Sequence, residues 1–154
     1  MDSLKFSISD LKLDEFLDAS SNFFYDVRTR RGSCRYAECY TAATAQSKLV
    51  SLDMAIFEFH QGNHKLFFDD EKKRILLLGE QKKLPKNLGD DLLLAVAKDS
   101  DTSGMYYYSI LVENFVFRMV FGIAGLEEGD EAHEMLHPII IHFLSKHENI
   151  GLRT

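Results

Sequence analysis

Residues 105–121 read MYYYSILVENFVFRMVF. Two runs rich in aromatic and β-branched side chains meet at Glu113-Asn114, a composition that favours extended backbone around a tight reversal. The stretch predicts a hairpin of two strands, 105–112 and 115–121. Successive side chains of a strand point to opposite faces. Phe115, Phe117, Met119 and Phe121 therefore share one face, while Val116 and Val120 share the other with a single Arg118. The first strand sets Tyr106, Tyr108 and Ile110 on one side and Tyr107 and Leu111 on the other. A sheet wetted on one side alternates apolar with polar residues. This hairpin is apolar on both.

Downstream, residues 130–148 predict an amphipathic helix with Ala132, Leu136, Ile139, Ile140 and Phe143 on its apolar face. Glu127, Glu128, Asp130 and Glu131 suit the positive N-terminal end of that helix. Upstream, residues 84–98 predict a helix with Leu84, Leu88, Leu92 and Ala95 in one stripe. Residues 54–60, 64–68 and 74–80 predict three strands, joined by Gln61-Gly62-Asn63 and by the charged stretch 69–73. Residues 11–24 predict a helix and 27–32 a loop. The Ala- and Thr-rich stretch 33–50 fits either helix or strand and is left open. Short connections make most of the strand pairing antiparallel. The expected fold is α+β: a mainly antiparallel five-stranded sheet with helices packed on one face, in the order helix, open segment, three strands, helix, two strands, helix. A length of 154 residues fits a single domain, with a helical or mixed part up to residue 50 and the sheet with two helices from residue 51.

The net charge of −6 lies wholly in residues 51–154, since residues 1–50 carry seven basic and seven acidic side chains. An acidic body disfavours contact with nucleic-acid phosphates or anionic lipid. No stretch approaches the roughly 18 apolar residues that span a bilayer, and no charged leader precedes an apolar run at the N-terminus. Cys34 and Cys39 are the only cysteines and make no disulfide framework, which suits a reducing compartment. The expectation is a cytoplasmic protein that meets neither nucleic acid nor membrane. Arg28, Arg30, Arg31 and Arg35 beside Gly32 form the one basic cluster, either an anion contact or a solvated loop.

Three helices of ordinary length cover one face of a five-stranded sheet and part of the second. Either residues 33–50 fold over the remainder, or a dimer or a partner segment covers it. Large apolar patches left in water usually mark interaction surfaces. Tyr106, Tyr108, Ile110, Phe115, Phe117, Met119 and Phe121 are accordingly the expected partner or dimer surface.

One motif carries possible catalysis: His133-Glu134-Met135-Leu136-His137, an HExxH match. Histidines at i and i+4 share a helix side, and the Glu between them can act as general base on zinc-bound water. A catalytic zinc needs a third protein ligand. His142 lies about 140° around the helix from His137 and does not converge on the pair. Pro138 tends to kink or begin a helix there. The alternative is that His133 and His137 sit at the rim of an apolar face. Cys34, Cys39, His60 and His64 are a second set of zinc-type ligands, with a gap longer than in the usual Cys₂His₂ finger. No phosphate-cradling glycine loop and no nucleophile elbow occurs. No catalytic residue, cofactor or metal is expected from these patterns.

The small acidic chain, the element order and the two-faced sheet resemble class I type III secretion chaperones, the Tir-chaperone-like proteins, over roughly residues 54–149. The resemblance implies a homodimer whose apolar patches hold an effector's N-terminal segment in extended form, partly by strand addition. Residues 27–50 depart from that pattern, because those chaperones pass from their first helix into the sheet. Two other readings remain. A toxin-immunity or other inhibitor protein would bind a folded partner, steered by its acidic side. A small zinc-dependent hydrolase would use His133, Glu134 and His137.

Overall fold

The computed structural model describes residues 16–17, 24–43, 49–59, 62–83, 89–126 and 132–151. Its centre is the expected hairpin. Strands β7 (Ser103–Val112) and β8 (Phe115–Ile123) pair antiparallel, with Val112 opposite Phe115 and Tyr108 opposite Met119. Glu113 takes the left-handed conformation (φ 51°) that lets the chain reverse there. Its backbone N–H donates to the Asp90 carboxylate at 2.6 Å, and the Asn114 side chain donates to the Phe59 carbonyl at 2.8 Å.

Six further strands complete the sheet: β1 (Phe16–Leu17), β2 (Phe24–Thr29), β3 (Gly32–Ala43), β4 (Leu49–Glu58), β5 (Glu80–Lys82) and β6 (Asp91–Ser100). Their order is β1-β3-β4-β8-β7-β6-β5, with β2 also paired to β3, and every pairing is antiparallel. Two helices, α1 (His64–Leu76) and α2 (Ala132–Gly151), pack against it. The class is α+β.

The eight described strands replace the expected five, and the helices lie on opposite faces rather than on one. Strand β4 makes the division visible. Its Leu52, Met54 and Ile56 belong to the cluster that Leu136, Ile139, Ile140 and Leu144 of α2 close. Its alternate residues Ala55 and Phe57, with Phe59 beyond the strand, pack with Phe67 and Phe68 of α1. Farther along α1, Ile75 meets Leu93 and Ala95.

Residues 64–68, expected as a strand, begin α1. Phe67, Phe68, Glu71 and Ile75 recur at helical spacing on its buried side, and Lys73 and Arg74 suit its C-terminal end. The charged stretch 69–73, expected as a turn, is the middle of this helix, with Asp69 and Lys73 exposed and Glu71 buried. The expected strand 74–80 splits into the last turn of α1, a reversal at Leu77 and Leu78, and the start of β5. Gly79 allows that path, because a Cβ there would stand 2.7 Å from the Val96 carbonyl carbon of β6.

The expected helix 84–98 is strand β6 from Asp91, and residues 84–88 lie outside the described residues. Leu93, Leu94, Ala95 and Val96 are buried in sequence, as a strand covered on both faces requires. Of the expected helix 11–24, Phe16–Leu17 form β1 and Phe24 opens β2; the rest lies outside the described residues. The expected loop 27–32 is the end of β2, a turn at Arg30 and Arg31, and Gly32 at φ 115° opening β3. The open segment 33–50 is strand in β3 and at the start of β4, with residues 44–48 outside the described set.

Helix α2 matches the expectation for 130–148, although residues 130 and 131 are not described. Pro138 lies inside it and neither begins nor ends it. Proline deprives the carbonyl four residues earlier of its donor. That residue, Glu134, is exposed like Pro138 itself, so water can satisfy the group.

Candidate functional site

The seven residues expected to form a partner or dimer surface lie in the interior. Tyr106, Tyr108, Ile110, Phe115, Phe117, Met119 and Phe121 all belong to the cluster beneath α2. They are core of this chain, not a contact face. The face behind them is also covered, by α1, the element whose sequence resembled two strands. The sheet therefore needs no second polypeptide to shield its hairpin.

The arginine cluster is divided. Arg31 donates two hydrogen bonds to the Asp70 carboxylate, at 2.7 and 3.1 Å, and ties the β2–β3 turn to α1. Its hydrogen bonds hold the Asp70 carboxyl below the ordinary value of 3.8. This tether is intact above that value and is lost as pH falls through the lowered one. Arg35 pairs with Glu58 at 3.4 Å, while Arg28 and Arg30 are exposed.

The HExxH residues sit at the rim of the α2 core. His133 Nδ1 lies 2.9 Å from the Tyr108 hydroxyl, and the His133 and His137 rings stand edge to face at 5.4 Å. Glu134 is exposed. Among the described residues, no group of three or more His, Cys, Asp or Glu is placed to hold a metal. Of the second ligand set, Cys34 is buried, His64 opens α1, and His60 and the Cys39 side chain lie outside what is described.

Burial pushes the Tyr108 phenol above its ordinary pKa of 10.0, with Tyr106 adding to the effect. The unfolded chain releases that proton near the ordinary value while the folded one retains it, so rising pH favours unfolding. Tyr108's contribution is whole below pH 10.0 and is lost as pH climbs toward the raised value. Denaturation midpoints should fall above pH 10.0, and Tyr108→Phe should flatten that decline. An identical alkaline slope in the variant would assign the decline to other groups.

Among the described residues, the exposed feature with the strongest apolar character lies elsewhere. Leu76, Leu77 and Leu78 end α1 and stand in solvent, Leu77 with 87% of its surface open. Together with Gly79, Glu80, Lys82 and Val96–Lys98 they border a groove of about 450 Å³. Beside it runs β5, whose three residues are all exposed and which pairs with Leu94–Val96 of β6. Its outer edge has no strand partner among the described residues. The signal was present in the uninterrupted run Ile75–Leu78. Within the strand expected over 74–80, that run did not reveal that of its four residues only Ile75 turns inward.

The chain matches no protein-family model, no curated protein and no solved structure. Among the described residues, no helix is long and apolar enough to cross a membrane.

Proposed function

We propose that this chain is a non-enzymatic, cytoplasmic protein-binding module, chaperone-like in that it holds an extended segment of a partner protein. The observation that supports this reading is the exposed Leu76–Leu78 run beside the outer edge of β5, which has no strand partner among the described residues. An unpaired edge presents a row of backbone donors and acceptors that template another strand. Backbone pairing gives an added strand affinity, and pockets for alternate side chains give it selectivity. Leucines left in water supply the apolar part, Leu77 contributing about 1.5–3 kcal/mol when fully covered and the half-covered Leu76 and Leu78 less.

A homodimer belongs to the same reading. Without a partner segment, two copies pair their β5 edges about a two-fold axis, and the segment competes for that edge. Light scattering should then give a mass near twice 17.7 kDa that falls when an apolar extended peptide is added.

The direct test is calorimetric titration of the protein with short extended peptides of alternating Val and Ser. Binding is expected, and Leu77→Asp should weaken it at least about tenfold, the effect of losing roughly 1.4 kcal/mol. Leu77 is exposed, so the variant should fold. Equal binding by Leu77→Asp would overturn the proposal.

A further inference from the structure

On the α2 side of the same ribbon lies a second depression, of about 250 Å³. Its wall includes Lys82, Lys83 and Lys98, with Val96, Tyr106 and His133 beside them. Strand register explains the convergence. Lys82 stands opposite Leu94 on β6, so it points to the face that Leu94 and Val96 share. Lys98, two residues beyond Val96, points the same way. Among the described residues, no carboxylate lines this depression. Among the described residues, none of the three lysines forms an ion pair. In a chain of net charge −6, three lysines gathered in one wall make a local basic patch, flanked along β5 by Glu80, which shares the face of Lys82. The depression also shares Lys82, Val96 and Lys98 with the leucine groove, so whatever lies along β5 passes both.

We infer that the lysine depression is the charge-reading part of the strand-binding site, and that the partner segment carries a carboxylate side chain opposite Lys82. The inference rests on the proposed strand addition at β5. It adds a sequence rule. Directly opposed residues of an antiparallel pair lie side by side on one face. A strand beside β5 therefore sets one residue against Lys82 and, two positions away on the same face, another against Glu80. The first is acidic, drawn by Lys82, Lys83 and Lys98. The second is not acidic, because Glu80 would repel it. An acidic residue elsewhere in the segment meets the protein's general negative charge and gains nothing.

The experiment compares two short peptides of alternating Val and Ser, identical except for one central Glu or Gln. The Glu peptide should bind about five-fold more tightly, the scale of roughly 1 kcal/mol for a cross-strand charge pair. Its advantage should shrink with added salt, as exposed pairs are screened. It should vanish in the double variant Lys82→Gln/Lys98→Gln, which leaves the leucines untouched. If both peptides bind the native protein equally, the charge rule is wrong while strand addition stands. If neither binds, strand addition fails and the rule falls with it.

Discussion

Glu71→Ala should destabilise the fold by about 3 kcal/mol. Glu71 sits in the middle of α1 and is only 5% exposed. Both of its oxygens accept from Arg118 of β8, Oε2 from Nε at 2.8 Å and Oε1 from Nη2, and Arg74 donates to Oε2 at 3.2 Å. Burial works against the Arg118 charge, and the hydrogen bonds and charge of Glu71 outweigh it, so its pKa lies above the ordinary value. Removing Glu71 strands that guanidinium between sheet and helix. The loss belongs at the lower end of the range for broken buried pairs, because the Arg118 side chain remains 31% exposed. The double variant Glu71→Met/Arg118→Leu should recover most of it, since a well-packed apolar pair replaces a buried ion pair at little cost. Urea midpoints of the two variants measure both quantities. A double variant as unstable as the single one would mean that α1 depends on the charge itself.

Phe117→Ala should cost about 3–5 kcal/mol, the usual loss for truncating a buried aromatic ring. Phe117 is 0% exposed and pairs with Ile56 on one side and Ile110 on the other. Folded domains are stable by only about 5–15 kcal/mol, so the variant sits near its unfolding threshold at ordinary temperature. The same substitution separates core from contact surface. A surface role would leave the urea midpoint unchanged and abolish dimerisation or peptide capture. The core role lowers the midpoint and leaves peptide affinity intact wherever the variant remains folded.

The hairpin and α2 were legible because their patterns admit one solution. Residues 105–121 are too rich in aromatic and β-branched side chains for a helix, and the spacing of Leu136, Ile139 and Ile140 leaves little but a helix. Where the sequence misled, the local pattern suits both periods. LLLAVA at 92–97 fits a helical stripe as well as a strand buried on two sides, and only its neighbours β5 and β7 decide. In 64–76 the paired rings Phe67 and Phe68 resemble a strand fragment, while the buried Glu71 that completes the helical face looks like a turn residue. That one substitution of helix for strand changes the functional argument. It supplies the cover missing from the second face, and it moves the exposed apolar surface from the hairpin to the leucines at the helix end.

The proposed strand addition lays an extended partner segment along β5 and the adjoining end of β6. Hydrogen exchange with and without the Glu-bearing Val/Ser peptide tests it residue by residue. Backbone amides of Glu80–Lys82 should slow on binding, those of Leu76–Leu78 should slow with them, and Leu77→Asp should remove the effect. Saturable peptide binding that leaves those amides exchanging as before, and protects another part of the chain instead, would contradict it.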